Sequence, residues 1–162
     1  MPALKLAIAN KNYSSWSLRA YLVLERTRAP YEEQVIPLRQ PRTETEIREH
    51  SPSGRLPVLR DGGVVVWDSL AIAEYLAERF PSARLWPADP SARATARSVC
   101  AEMHAGFTAL RSHCPMNLRV SYTTCEPPEA VLADLARLET LWTWARERKA
   151  HRNEALRQRT DS

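Results

Sequence analysis

At 162 residues and 18.4 kDa the chain has room for one ordinary domain or two small ones packed together, and for nothing larger. Apolar residues make up 44% and charged residues 26%, enough to bury a core, so a wholly disordered chain is excluded. Apolar runs such as 6–9 and 63–67 fall far short of the roughly 20 residues a membrane span needs, so no membrane partner is expected. The N-terminal stretch MPALKLAIANKNYSSW has a short apolar run and no A-x-A-like cleavage site, which points away from a secretory signal and towards the cytoplasm. The formal charge is +4, yet residues 1–144 carry 17 basic and 16 acidic side chains while 145–162 carry 6 and 3. The basic character is mostly a tail effect, and nucleic acid is not the expected partner. Cys100, Cys114 and Cys125 are an odd number at wide spacing, without a CxxC pair, and read as reduced thiols. Cys100 and His104 sit at i, i+4, but no tight ligand group accompanies them and no metal is expected.

Residues 4–9 read as a buried strand leading into the polar stretch 10–15. SLRAYLVLERTR from Ser17 places Leu18, Tyr21, Leu22 and Leu24 near helical spacing and stops before Pro30. Residues 31–38 predict a second strand, and TETEIREH a short charged helix that closes before Pro52. LPVLRD and GVVVWD, joined around Asp61, Gly62 and Gly63, predict an antiparallel hairpin. Asp68 and Ser69 are good helix caps, after which Leu70, Ala73, Leu76, Ala77 and Phe80 share one helical face. The order is βαβαββα, which builds a mixed sheet with helices on its faces.

The proline-rich stretch 81–91 is the expected linker. Beyond it Asp89 caps a helix with Pro90 in its first turn, carrying the stripe Val99, Met103, Phe107 and Leu110. After a loop, Val131, Leu135, Leu138, Trp142 and Ala145 form a second stripe, so the two helices are expected to pack as a hairpin. Past Lys149 the pattern stops. The fold class expected is α/β plus all-α, with domains at 1–80, a linker at 81–90, a partial all-helical domain at 91–148 and an unpatterned basic tail at 149–162.

Chemistry is expected where strands hand over to helices. YSSWSLR, 13–19, lies at a helix start, where unpaired N–H groups and the macrodipole favour negative charge, and Ser14, Ser15 and Ser17 add hydroxyls there. Pro57 opens the third strand; a cis Leu56–Pro57 bond would turn the Leu56 backbone groups outward, free to pair with a peptide-like ligand. Asp68 offers a carboxylate for an ammonium group, and Ser69 a hydroxyl at a helix N-terminus for a carboxylate. Together these suit a small zwitterionic peptide bearing a thiol. Each feature also has a plain structural explanation, as a helix cap or an edge-strand proline.

With these residues in place, the chain resembles the cytosolic glutathione transferases, most closely the zeta class of maleylacetoacetate isomerases and related bacterial proteins. The carriers are SSWSLR (14–19), GRLPVL (54–59) and DSLAIAEYL (68–76), with weaker support from LWPADPSARA and EMHAGFTALRSHCPMNLR. The resemblance implies a thioredoxin-like N-terminal domain that binds glutathione as co-substrate and a helical domain that shapes the pocket for a small electrophile. It implies that Ser14 hydrogen-bonds the glutathione sulfur and favours its thiolate, with Ser15 the alternative. Leu56 would hold the cysteinyl backbone, Asp68 and Ser69 the γ-glutamyl end, and Arg55 a carboxylate; Met116 and Asn117 are possible pocket residues. It further implies a homodimer and an enzyme that conjugates glutathione to an electrophile or isomerises one. Trp16 stands where the zeta motif has cysteine, and Asp68 where it has glutamine. The family's helical domain continues through further helices, so a truncated or frame-shifted transferase is expected, the other reading being a non-catalytic module that acts through subunit contacts.

Overall fold

The computed structural model describes residues 4–124 and 126–160, the side chains of 149–160 excepted; Cys125 lies outside them. The chain forms two compact units, residues 1–86 with 116–121, and residues 87–115 with 122–162.

The first unit is built on four strands: β1 (Leu4–Ile8), β2 (Tyr31–Val35), β3 (Val58–Asp61) and β4 (Val64–Trp67). Helices α1 (Ser15–Thr27), α2 (Thr43–His50) and α3 (Ser69–Arg79) alternate with them in the predicted βαβαββα order. The sheet order is β2-β1-β3-β4; β1 pairs parallel with β2 and antiparallel with β3, and β3 pairs antiparallel with β4. Central β1 therefore buries both faces. Leu4, Leu6 and Ile8, two residues apart, pack with Leu59 against Ala20 and Leu24 of α1 and Ile72 and Leu76 of α3. On the opposite face Ala7 meets Ile36 and Ile47, with Leu38 and Leu56 beside them.

β2 is shorter than the strand predicted over 31–38 because Pro37 has no N–H to donate; the last bond on this side runs from Ile36 N to Ile8 O at 2.8 Å. The hairpin turns through Gly62, whose φ of +58° favours glycine. Helix faces differ from the predicted stripes. In α1 the buried positions are Ser17, Ala20 and Leu24, while Leu22 is 56% exposed; in α3 they are Ser69, Ile72 and Leu76. Small residues on these faces let the helices approach the sheet, and hydrophobicity alone does not register them.

In the second unit α4 (Pro90–Ala105) ends where a single longer helix was expected. A Cβ on Gly106 would stand 2.9 Å from the Glu102 carbonyl oxygen, and Phe107 takes φ +57°, so the chain turns and restarts as α5 (Thr108–His113). Arg111 Nη1 covers the freed carbonyls of Met103 and His104 at 2.9 and 3.2 Å. The helix α6 (Glu129–Thr160) buries Val131 and Leu141, with Asp134, Leu138 and Ala145 half-buried, whereas Leu135 and Trp142 of the predicted stripe are exposed. Asp134 Oδ2 accepts from Leu110 N at 2.9 Å, and Arg137 grips Glu102 with two bonds of 2.5 and 2.9 Å. α6 also runs on as helix through the segment read as an unpatterned tail, to Thr160, where Glu, Ala, Leu, Arg and Gln are good helix formers.

Asp61 ties the end of β3 to α3: its Oδ2 accepts from the Tyr75 hydroxyl at 2.9 Å and from Arg79 Nε at 3.1 Å. These donors, Tyr75 first and Arg79 second, hold the Asp61 carboxyl below its ordinary range. A carboxyl depressed on folding contributes stability above its unfolded pKa, and that contribution disappears as pH falls through the depressed value. Asp61→Asn is expected to lower stability by about 1–2 kcal/mol at neutral pH. Urea melts of the two proteins should draw together progressively as the pH is lowered through and below the ordinary Asp range near 3.9; a gap that does not narrow at low pH would place the effect in packing instead.

Candidate functional site

Register decides which loops meet. Ala7 lies opposite Val58, and Val58 opposite Trp67. The segment leaving β1, the segment entering β3 and the segment leaving β4 therefore share one end of the sheet. That end carries Ser14 and Ser15, then Leu56, then Asp68 and Ser69, so the topology brings together the three motifs singled out in the sequence.

The first segment is a tight turn. Asn10 O accepts from Ser14 N at 3.0 Å and Tyr13 N at 3.4 Å, and Asn10 Oδ1 accepts from Asn12 N at 2.9 Å, an Asx turn that delivers Ser14 to the start of α1. Ser14 is extended (φ −104°, ψ 94°) and caps α1, its Oγ accepting from Ser17 N at 3.4 Å while its hydroxyl donates to Ser17 Oγ at 3.1 Å. Ser15 is the first helical residue, half-buried, and its hydroxyl makes no hydrogen bond among the described residues. Ser17 departs from the expectation of a third hydroxyl offered to a ligand: it is fully buried and its Oγ accepts from Ala9 N at 2.9 Å.

The second segment is held by SPSG. Ser51, buried, accepts from Arg55 N at 3.2 Å and contacts Ser53 Oγ at 3.0 Å, and Gly54 turns at φ +67°. The Leu56–Pro57 peptide is cis, and neither backbone polar group of Leu56 has a partner among the described residues. The Arg55 side chain is exposed on this turn.

The third segment is strained. Asp68 takes φ +75°, ψ +135°, a region that costs an L residue about 1–3 kcal/mol. The strain aims its carboxylate along the helix, where Oδ1 accepts from Leu70 N at 2.8 Å as the cap of α3. Ser69 follows, only 4% exposed, its hydroxyl without a hydrogen bond among the described residues. Two helix N-termini, α1 and α3, thus open at this end with their partial positive charge. An anionic peptide with backbone groups to pair could be held by Leu56 in the middle and by the helix starts at either side.

One element was not legible in the sequence. Residues 116–121, from between the helices of the second unit, belong to the first, where Leu118 N donates to Asn12 O at 2.9 Å. Met116 and Asn117 thereby sit on a strap beside the Asn10–Ser14 turn, with Asn117 Oδ1 accepting from Arg119 N at 3.0 Å. A backbone-to-backbone bond of this kind leaves no residue pattern to read.

Comparison with known proteins follows the same lines. Residues 13–79 match the family model described as glutathione S-transferase, N-terminal domain. The first unit accordingly has a thioredoxin-like fold and resembles a glutathione S-transferase N-terminal domain, and the chain is glutathione S-transferase-like. The probable maleylacetoacetate isomerase of Caenorhabditis elegans is 33% identical over 98 residues, covering 60% of this chain and 45% of that protein. A glutathione transferase homologue from Burkholderia, solved with bound glutathione, matches with a TM-score of 0.57 at 26% identity over 68% of this chain and 58% of its own. A glutathione S-transferase from the Antarctic clam Laternula elliptica matches with a TM-score of 0.64 at 24% identity over 85% of this chain and 65% of its own, a likeness of fold. The chain spans about half the length of the C. elegans relative. No helix among the described residues is long and apolar enough to cross a membrane.

The two serines should separate in stability. Ser14→Ala removes the α1 cap and is expected to cost about 1 kcal/mol in a urea melt. Ser15→Ala, at the first helical position with an unengaged hydroxyl, should stay within about 0.5 kcal/mol of wild type. Equal losses would contradict the assignment of Ser14 as the cap.

Proposed function

We propose that the protein binds glutathione at this end of the sheet and lowers the pKa of its thiol for transfer to, or isomerisation of, a small electrophile. The observation that carries this reading is the convergence of the Ser14–Ser15 helix start, the unpaired Leu56 backbone and the Asp68–Ser69 helix start, supported by the glutathione in the Burkholderia homologue. In this reading the Ser14 hydroxyl donates to the sulfur, with Ser15 as a second donor from the first turn of α1. Leu56 N–H and C=O pair with the cysteinyl backbone. Asp68 takes the γ-glutamyl ammonium, Ser69 and the α3 N-terminus take its carboxylate, and Arg55 reaches a remaining carboxylate.

A free cysteine thiol has a pKa near 8.5, and a hydroxyl donor beside a helix N-terminus lowers it by favouring the anion. The S–H bond breaks with its electron pair left on sulfur, the proton passes to water, and the thiolate attacks the electrophile. Residues 1–80 form the glutathione domain in this reading and 91–148 a partial all-helical transferase domain. The protein would work as a cytoplasmic homodimer.

A second reading is favoured by one observation. α4 has no fully buried residue and α6 exposes Leu132, Leu135, Trp142 and Trp144, as in a module that acts through subunit contacts with weak glutathione binding. Saturating glutathione separates the two. At about 100 times Kd a ligand adds about 2.7 kcal/mol, raising Tm by about 5 °C or more for the active site proposed. Ser14→Ala should keep most of that shift and lose, at neutral pH, the ultraviolet absorbance of bound thiolate. Folded protein that shows no shift and passes through a glutathione resin would leave only the second reading.

A further inference from the structure

Resting on the glutathione reading above, we propose that Ser17 is a positioning residue for thiol activation: its buried hydroxyl, anchored by the Ala9 N–H, holds and polarises the Ser14 hydroxyl. Ser17 is fully buried on the α1 face that otherwise carries Ala20 and Leu24, a place where a polar atom is costly unless it is hydrogen-bonded. A serine inside a helix usually turns its hydroxyl back to the carbonyl four residues earlier or out to water. Here Ser17 Oγ accepts two bonds instead, from Ala9 N at 2.9 Å and from Ser14 Oγ at 3.1 Å.

The Ala9 bond has a structural duty. Ala9 is 1% exposed and lies just past the last paired residue of β1, so its N–H would otherwise be orphaned. The Ser14 bond has no such duty, because Ser14 already caps α1 through its acceptor side. What the second bond does is fix where the Ser14 hydroxyl stands. A neutral oxygen is a weaker acceptor than an anionic sulfur, so on thiolate formation the Ser14 O–H turns to the sulfur. Ser17 still has its own O–H, which can then donate to the vacated Ser14 oxygen. The result is a chain from Ala9 N–H to Ser17 O–H to Ser14 O–H to sulfur, in which each bond polarises the next. No covalent bond of the protein changes; the thiol proton goes to water.

The test is the pH midpoint of thiolate absorbance for glutathione bound to wild type, Ser17→Ala, Ser14→Ala and the double variant, with the Kd of S-methylglutathione measured beside it. Ser17→Ala is expected to raise the midpoint by about 0.5–1 pH unit. The same change made on Ser14→Ala should leave the midpoint where Ser14→Ala alone puts it. S-methylglutathione, which has no thiol proton to lose, should bind within about twofold of wild type in Ser17→Ala, whereas a merely structural role would weaken both ligands together. An unmoved midpoint with binding intact, a shift equally large without Ser14, or parallel loss of S-methylglutathione overturns the proposal while sparing the glutathione reading. Wild type that binds neither ligand overturns both. If Ser17→Ala does not fold, Ser17→Cys, which keeps the size but offers only a weak acceptor, is read by the same criteria.

Discussion

β1 has strands on both sides and helices above and below, and the register of this one strand governs the rest of the first unit. Its side chains alternate in a period of two, so Leu4, Leu6 and Ile8 must face α1 and α3 while Ala7 faces Ile36 and Ile47. A slip of one residue would put Lys5, which pairs with Glu32 at 2.7 Å in solvent, into the core in place of Leu6. Burial of an unpaired ammonium costs several kcal/mol, so the register has no nearby alternative. Once β1 is fixed, the pairings to β2 and β3 follow, and with them the end of the sheet at which the loops after β1, before β3 and after β4 come together.

That convergence brings three unremarkable local features to one place. A serine cap, an unpaired backbone before a proline and a capped helix after a hairpin occur in many proteins singly. Set at one sheet end, they present two helix N-termini and a free N–H and C=O to the same space. The left-handed backbone at Asp68 marks the same place, since strain of this kind persists only where the surroundings hold it. Polar side chains beneath are satisfied inward: Ser17 by Ala9 and Ser51 by Arg55 N. This end of the sheet is thus supported by groups whose own bonds are made within the unit.

The second unit is organised differently. Its links are a few directed contacts, Arg137 with Glu102, Asp134 with Leu110 N and Arg111 with the end of α4, around a small buried set of Phe107, Val131 and Leu141. The exposed Arg137–Glu102 pair fixes orientation while adding little stability. Much apolar surface of α6 stays exposed within the described residues, Trp142 at 56% among it.

Sequence alone was enough for the order of elements in the first unit, because alternation in β1, the Gly62–Gly63 hairpin and the caps at Asp68 and Asp89 are local signals that act over a few residues. It was enough also to single out Ser14, Ser15, Leu56, Asp68 and Ser69, since helix starts and a strand-opening proline announce themselves. Helix faces were legible only in part: Ser17, Ala20 and Ser69 are buried for their smallness, which no hydrophobic stripe records, and Leu22 and Trp142 are exposed despite their size. The break at Gly106 was masked by an apolar spacing that ran straight across it. What tertiary structure alone decided is the meeting of the three motifs, the strap from Leu118 to Asn12, and the division of labour between Ser14 and Ser17. Each of these depends on strand register or on a bond between residues distant in the chain, and such partners are chosen by packing, for which the linear pattern carries no mark.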